Sequence, residues 1–179
     1  MPNTSEHKLK ICLIGEGAVG KTSLIKRFVY DAFEGDYITT LGTKVTKKEL
    51  SIRHPKKEKD VNVTLLIWDI MGQKGFRELL QEAYFYGAQG LLAVCDITNK
   101  DTLEELEGWI NSAFNVTGKI PMVFLANKSD LQDQAQFGID EVNDFASNYE
   151  RSLAYSSSAK TSENVNEAFK KITIEMLRE

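Results

Sequence analysis

The 179-residue sequence predicts a single α/β domain, with a six-stranded, mostly parallel sheet and helices on both of its faces. Short apolar runs alternate along the chain with stretches whose apolar residues recur at helical spacing, which favours strand–helix–strand crossovers. One segment instead alternates polar and apolar residues before a charged turn, which indicates a hairpin and one antiparallel edge strand. A glycine-rich turn joins the first apolar run to the first helical stretch.

Six segments are the predicted strands. The first apolar run carries Leu9, Ile11, Leu13 and Ile14, and the alternating segment 43–52 is the antiparallel edge strand. The remaining strands are expected at 61–68, 91–95, 122–126 and 153–155. The hairpin tip at 54–60 is rich in charged residues, and we expect it to be a solvated loop.

The predicted helices lie between these strands. A first helix is expected at 22–29, directly after the glycine-rich turn. Three later stripes have the spacing of one helix face: Leu103, Leu106, Trp109, Ile110, Ala113 and Phe114; Ile139, Val142, Phe145 and Ala146; and Val165, Phe169, Ile172 and Met176. Residues 1–8 are predicted to be an N-terminal tail, and 9–179 a single domain.

Composition limits the class of protein. Hydrophobic residues make up 42% and charged residues 27%, and the formal net charge is −4, which argues against nucleic acid as a partner. Cys12 and Cys95 lie in apolar strands, where we expect them to act as small core residues. The chain has no signal-peptide core, no myristoylation glycine after Met1 and no prenylation cysteine. We therefore expect a cytoplasmic monomer that reaches membranes only through partners or through a tail absent from this chain.

The glycine-rich turn carries the first chemical motif. Residues 15–22, GEGAVGKT, fit G-x-x-x-x-G-K-[ST], in which successive backbone N–H groups surround the phosphates of a nucleotide. Glycines permit a tight turn and a close approach to the anion, and the start of the helix adds its positive dipole end. Lys21 can bind the β and γ phosphates, and the Thr22 hydroxyl can bind Mg²⁺. The expected phosphate-binding residues are Gly17, Ala18, Val19, Gly20, Lys21, Thr22 and Ser23.

A second motif follows the predicted strand 61–68. Asp69 ends an apolar run, the place from which a carboxylate can hold the hydration shell of Mg²⁺. Asp-x-x-Gly then brings the Gly72 N–H to the γ phosphate, and Gln73 can orient the attacking water. In the loop after Phe33 and Tyr37, a threonine hydroxyl can complete the Mg²⁺ shell when a γ phosphate is present.

A third motif, Asn127-Lys128-Ser129-Asp130, follows the strand 122–126. The Asp130 carboxylate can accept hydrogen bonds from N1–H and the exocyclic amino group of guanine, whereas adenine would leave it unpaired. The Lys128 stem can lie along the base, and Asn127 can join neighbouring loops. After the last strand comes Ser158-Ala159-Lys160, whose Ala159 N–H could donate to the guanine 6-oxygen.

In this order the motifs identify a family. The chain resembles the Ras superfamily of small GTPases, most closely its Rab-like members, in the segments GEGAVGKTSL, YITTLGT, LLIWDIMGQ, CDIT, NKSD and SSAK. The resemblance implies a P-loop NTPase G domain that binds GTP or GDP with Mg²⁺. It also implies an activating protein, an exchange factor and effectors that bind switch I (33–43) and switch II (69–86).

The resemblance also implies roles residue by residue. Gln73, Lys21 and Gly72 are the expected catalytic residues, and Thr22, Thr40 and Asp69 the expected metal ligands. Tyr37 would lie over the phosphates and Phe33 beside the guanine. Besides the phosphate loop, the implied nucleotide-binding set is Phe33, Tyr37, Thr40, Gly72, Asn127, Lys128, Asp130, Ser158, Ala159 and Lys160.

The chain departs from the Rab pattern in places. Ile70 and Met71 stand where Rab proteins carry Thr and Ala, and the bulk of Met71 is expected to hinder the approach of Gly72 to the γ phosphate. Lys74 replaces the usual Glu, and the hairpin tip at 54–60 is longer than in typical Rab proteins. Two alternatives stay open: a slowly hydrolysing or GTP-locked binding module, and a P-loop ATPase or nucleotide kinase.

Overall fold

One sheet organises the part of the chain that the computed structural model describes, namely residues 6–33, 42–70, 72 and 74–179. Its strands are β1 (Glu6–Ile14), β2 (Thr43–Arg53), β3 (Asp60–Ile70), β4 (Gly90–Asp96), β5 (Met122–Asn127) and β6 (Ser152–Ser156). Their order is β2-β3-β1-β4-β5-β6, with β2 antiparallel to β3 and the other pairings parallel. The predicted α/β fold with one antiparallel edge strand is confirmed.

Most strands extend past the apolar runs that predicted them. β1 begins at Glu6, so residues 6–8, which were predicted to lie in the tail, belong to the sheet. Glu6 pairs with Asn62 and Lys8 with Thr64 in the parallel register of β1 and β3. Backbone hydrogen bonds continue wherever a neighbouring strand is present, whatever the side chains, and hydrophobicity therefore understates strand length.

The helices cover both faces of this sheet. They are α1 (Lys21–Tyr30), α2 (Lys74–Phe85), α3 (Asp101–Glu104), α4 (Leu106–Thr117), the 3₁₀ helix Ser129–Gln134, α5 (Ile139–Ala146) and α6 (Val165–Met176). Helix α2 was not predicted from the sequence; its Leu79 is 81% exposed, whereas Tyr84 and Phe85 are buried in one core. Within the described residues, no helix combines the length and apolarity needed to cross a bilayer.

The central strands supply side chains to a core on each face. Along β4, Leu92 and Val94 point to the core shared with α1 and α6. The intervening residues point to the opposite core, shared with α2, α4 and α5. All seven residues of β4 are buried, and the strand is apolar up to Asp96, the carboxylate at its end. In the first core, the rings of Phe28 and Phe169 stack with their centroids 4.0 Å apart.

The two cysteines are core residues, as predicted. Cys12 in β1 and Cys95 in β4 are fully buried and form no disulfide. Burial raises the pKa of each thiol to about 12, because the charged thiolate loses its hydration. Both thiols therefore remain protonated near neutral pH.

The strand order also determines where a ligand can bind. β1 lies between β3 and β4, so the sheet grows in opposite directions from it. In open α/β sheets the crevice beyond the carboxyl ends of the strands at such a switch point is the usual ligand site. The glycine-rich turn after β1 opens onto this crevice.

The hairpin tip between β2 and β3 is organised by a buried histidine. His54 is 5% exposed, and its Nδ1 accepts hydrogen bonds from the backbone N–H of Lys56 at 3.1 Å and of Lys57 at 3.3 Å. The backbone N–H of His54 donates to the carbonyl of Lys59 at 2.9 Å. An acceptor Nδ1 requires the neutral imidazole.

This arrangement predicts a loss of stability in mild acid. Burial lowers the pKa of His54, and nearby cationic groups lower it further: Lys57, His7, Lys56 and Lys59. The unfolded chain therefore binds more protons than the folded chain below the ordinary histidine pKa of about 6.5. The free energy of unfolding should fall as the pH drops below about 6.5, until the pH is below the folded-state pKa.

Urea unfolding between pH 8 and pH 5 tests this expectation. His54→Asn should reduce the acid loss, because the amide oxygen can accept the same backbone bonds without titrating. His7→Gln, which keeps His54 buried and removes only one of the nearby charges, should retain most of the acid loss. An acid loss that is equal in His54→Asn and in the wild type would show that other groups cause it.

Candidate functional site

The glycine-rich loop has a backbone that only particular residues can adopt. Gly15 has a φ of +141°, and a Cβ there would lie 2.3 Å from the carbonyl oxygen of Val94 in β4. Gly20 has a φ of +104°, and its Cβ would lie 2.4 Å from Nδ2 of Asn127. Ala18 also has a positive φ, +65°. The loop can therefore pass close to β4 and to Asn127 only because both glycines lack side chains.

Lys21 is the buried cation of this loop. It begins α1, is 6% exposed, and its Nζ donates to the carbonyls of Gly15 at 2.7 Å and Glu16 at 2.9 Å. Burial lowers the pKa of Lys21 to about 8, although the charges of Asp69 and Glu16 oppose that shift. The loop therefore holds a cation among its own carbonyl groups, in reach of an anion at the start of α1.

Thr22 and Asp69 bring two hard oxygen ligands together. The Thr22 hydroxyl donates to Oδ2 of Asp69 with an oxygen–oxygen distance of 2.5 Å. Asp69 is 2% exposed near the end of β3 and pairs in register with Leu13 of β1. Mg²⁺ prefers oxygen ligands and commonly takes only one or two from the protein when phosphate supplies others, so this pair fits the ion. Across the described residues, no three His, Cys, Asp or Glu side chains converge into an all-protein metal cage.

Gly72 packs directly on the glycine-rich loop. A Cβ at this position would lie 2.4 Å from the nitrogen of Gly17 and 2.5 Å from the carbonyl carbon of Glu16. Any larger residue would push the two segments apart. The residues predicted around it, Met71 and Gln73, lie outside the described part of the chain.

The third motif is tied to the same loop. Asn127 is 1% exposed at the end of β5, donates through Nδ2 to the Val19 carbonyl at 2.9 Å, and accepts from the Ser157 hydroxyl at 3.1 Å. Lys128 has a φ of +66°, which turns the chain out of the strand. Its Nζ donates to the Ala18 carbonyl at 2.7 Å and pairs with Oδ2 of Asp96 at 2.6 Å. Asn127 and Lys128 thus fasten the third motif to the glycine-rich loop.

Asp130 and the last loop form the side of the site that faces outward. The Ser158 hydroxyl donates to Oδ1 of Asp130 at 2.6 Å, and the Thr161 N–H donates to the Ser158 hydroxyl at 3.1 Å. Asp130 is exposed in the 3₁₀ helix, whereas Ser158 is fully buried. A carboxylate accepts several hydrogen bonds, so Asp130 retains capacity for a ligand with two adjacent donors.

Arg27 holds the same loop from α1. Its Nε donates to the Ala159 carbonyl at 2.8 Å, and its Nη2 donates to the Lys160 carbonyl at 3.1 Å. It also pairs with Asp31 at 2.9 Å. Sequence reasoning missed Arg27, because nothing in a helical stripe indicates a partner 132 residues away.

Two further supporting residues were missed. Asp96 at the end of β4 binds Lys128, and its Oδ1 accepts from the Thr98 N–H at 2.9 Å and hydroxyl at 2.7 Å. Trp109 in α4 donates through Nε1 to Oε1 of Glu16 at 2.9 Å. The position of Asp96 at a strand end could have indicated its role, as the same position did for Asp69. Trp109 gave no such signal, because the helical periodicity indicates only that it faces the core.

The structure therefore brings most of the predicted site residues to one edge of the sheet. They lie at the ends of β3 and β5 or in the loops after β1, β3, β5 and β6: the glycine-rich loop 15–22, Asp69, Gly72, Asn127, Lys128, Asp130, Ser158, Ala159 and Lys160. Phe33 is 40% exposed after α1. Tyr37, Thr40 and Gln73 lie outside the described residues.

Comparison with known proteins gives one consistent answer. The family model described as Ras family matches residues 10–178. The chain is 34% identical to "GTP-binding protein ypt4" of Schizosaccharomyces pombe, over 92% of this chain and 69% of that protein. It is 33% identical to "Ras-related protein Rab-2B" of Dictyostelium discoideum, over 97% of this chain and 82% of that protein. It is also 34% identical to human "Ras-related protein Rab-8B", over 94% of this chain and 78% of that protein.

Proposed function

The chain belongs to the Ras family as a Rab-like small GTPase that hydrolyses GTP, and from this premise we propose that it works as a GTP/GDP molecular switch. In the proposed cycle it binds GTP with Mg²⁺, hydrolyses GTP slowly to GDP and phosphate, and presents a different surface in each nucleotide state. Its single G domain comprises residues 9–179 and also residues 6–8, which begin strand β1.

One observation carries the proposal most directly. Asn127 and Lys128 bind the carbonyls of Val19 and Ala18, and this joins the guanine motif to the phosphate motif. A nucleotide presents its base and its phosphates at a fixed separation, so one ligand can use both motifs only if the loops are held together. The Asp130 carboxylate favours guanine over adenine, since guanine offers two adjacent donors.

We assign the hydrolysis to positioning and charge stabilisation, with no covalent intermediate on the protein. Lys21 binds the β and γ phosphates, and the N–H groups of the loop and of Gly72 donate to phosphate oxygens. Gln73 orients the attacking water. Thr22, Asp69 and Thr40 are the residues that would hold Mg²⁺, which neutralises phosphate charge when it is bound.

Recognition of the nucleotide state depends on two segments of the chain and on several partner proteins. We propose that switch I (33–43) and switch II (69–86) order on the γ phosphate through Thr40 and Gly72. Effectors then read the ordered segments, and an exchange factor restores GTP. Switch I offers no arginine, so fast hydrolysis needs one from an activating protein, an effect of about 10³- to 10⁵-fold in switch GTPases generally. Membrane recruitment would come through partners.

Replacing Met71 should change the rate of the cycle. Gly72 already touches the backbone of Glu16 and Gly17, so bulk next to it affects how closely a γ phosphate can approach. Met71→Ala should therefore alter nucleotide exchange or single-turnover hydrolysis by more than about twofold. Leu79→Ala, at an exposed position in α2, is the matched control. Rates for Met71→Ala within twofold of wild type would contradict the expectation.

A second candidate is a slowly hydrolysing or GTP-locked binding module. It is favoured by Ile70 and Met71, which place large side chains before Gly72. The deciding experiment identifies the co-purifying nucleotide and then times single-turnover GTP hydrolysis, with and without a candidate activating protein. A working switch hydrolyses GTP faster when the activating protein is present, whereas a locked module retains GTP with and without it. Competition between GTP and ATP tests the ATPase or nucleotide-kinase alternative in the same preparation.

A further inference from the structure

Glu16 is an acidic residue inside the loop assigned to phosphate binding. It lies between Gly15 and Gly17, and its main-chain carbonyl accepts a hydrogen bond from Lys21 at 2.9 Å. A nucleotide triphosphate is itself strongly anionic, and a carboxylate turned toward it would repel it. The direction that the Glu16 side chain takes is therefore important for binding.

The Glu16 side chain is held by a tryptophan on α4. Nε1 of Trp109 donates to Oε1 of Glu16 at 2.9 Å, although the two residues are 93 positions apart. Trp109 is fully buried and packs in the core shared with α2, α4 and α5, which fixes its ring. The indole N–H acts only as a donor, and a hydrogen bond to a carboxylate is about twice as strong as a neutral one.

Glu16 also lies close to other parts of the phosphate site. Its main-chain carbonyl accepts from Nζ of Lys21, and Glu16 directly precedes Gly17, the first of the residues assigned to phosphate binding. The backbone of Glu16 touches Gly72 as well. The negative charge is thus near enough to affect a bound phosphate, and its exact position determines by how much.

We infer that Trp109 is a positioning residue that holds the Glu16 carboxylate against α4 and keeps its charge out of the phosphate cradle. The inference rests on the proposed guanine-nucleotide function. Without the indole N–H, the carboxylate is free to turn toward the ligand. GTP then loses more affinity than GDP, because it carries additional negative charge beside the loop.

A double-mutant cycle tests the inference. We would measure the Kd for GTP and for GDP, with Mg²⁺, in wild type, Trp109→Phe, Glu16→Gln and the double variant. Trp109→Phe should weaken GTP binding about tenfold or more in the wild-type background, and less than about threefold when Glu16 is already Gln. The loss should be larger for GTP than for GDP, and should shrink at high salt.

Trp68→Phe is the matched control, since it removes the other tryptophan and should leave the GTP-to-GDP affinity ratio unchanged. Equal losses from Trp109→Phe in both Glu16 backgrounds, or equal losses for GTP and GDP, would mean that Trp109 serves packing alone, and would overturn the inference. A wild-type chain that binds neither nucleotide would instead overturn the proposed function.

A second measurement does not require Trp109→Phe to fold. In the ¹⁵N-labelled full chain, Trp68→Phe assigns the indole N–H resonance of Trp109. Glu16→Gln replaces a charged acceptor by a neutral one and should move that resonance upfield. An unchanged resonance would show that the carboxylate is not bound to the indole, which also overturns the inference.

Discussion

Asp130→Asn should lower the affinity for GTP about 10³-fold and allow the site to bind xanthine nucleotides. The carboxylate accepts from two adjacent donors of guanine, whereas the asparagine amide turns one of its two acceptors into a donor. Xanthine carries an oxygen in place of the exocyclic amino group and so matches the amide. The amide oxygen can still accept from the Ser158 hydroxyl, so the loop should keep its place.

Competition binding with GDP and xanthosine diphosphate measures this change of preference. Asp133→Asn is the matched control, since Asp133 is exposed in the same 3₁₀ helix and has no predicted role. If Asp130→Asn loses GDP and does not gain the xanthine nucleotide, Asp130 supports the loop and does not read the base.

Lys21→Met should weaken GTP and GDP binding by about 10²-fold or more. The ammonium makes charge-assisted hydrogen bonds to phosphate oxygens, each worth roughly 1.5–3 kcal/mol, and methionine keeps only the apolar stem. Removing the charge also takes away a neighbour of the buried Asp69 carboxylate. Lys119→Met is the control, because the Lys119 side chain is 75% exposed and lies far along the chain from the loop.

The wild type should in addition bind GDP less tightly as the pH rises from 7 to 9. Burial lowers the pKa of Lys21 to about 8, so above that pH a growing fraction of the chains must bind a proton at Lys21 before the ammonium can bind phosphate. Bound phosphate favours the charged ammonium and so raises the pKa of Lys21. Binding is therefore coupled to proton uptake, and the affinity for GDP falls as the pH rises. Lys21→Met should show a flatter profile, and equal slopes in the two proteins would assign the dependence to another group.

The sequence was most informative where chemistry follows a strand end. Asp69 and Asn127 were placed correctly beside the glycine-rich loop because the carboxyl ends of parallel strands meet at one edge. The expectation that Asn127 joins neighbouring loops agrees with its bonds to Val19 and Ser157. These placements needed only element order and local spacing.

The helical spacing of apolar residues did not predict long-range hydrogen-bond partners or interruptions of helices. Arg27 and Trp109 have partners on distant segments, and a helical stripe records only that a face is buried. The stripe from Leu103 to Phe114 was predicted to be continuous, but Glu105 separates α3 from α4. Helix α2 was not among the predicted helices; it exposes Leu79 and buries Tyr84 and Phe85 near its end.

The bonds from Asn127 and Lys128 to the phosphate loop have a consequence for how long a nucleotide stays. These bonds join the loops assigned to the two ends of the nucleotide, so we expect the two loops to move together. Displacing either loop would therefore disturb the contacts of the other. A partner that moves the loop at one end of the nucleotide should shorten the residence time of the whole nucleotide. Asn127→Ala should accordingly speed release of GDP, even though its side chain is turned toward protein carbonyl and hydroxyl groups.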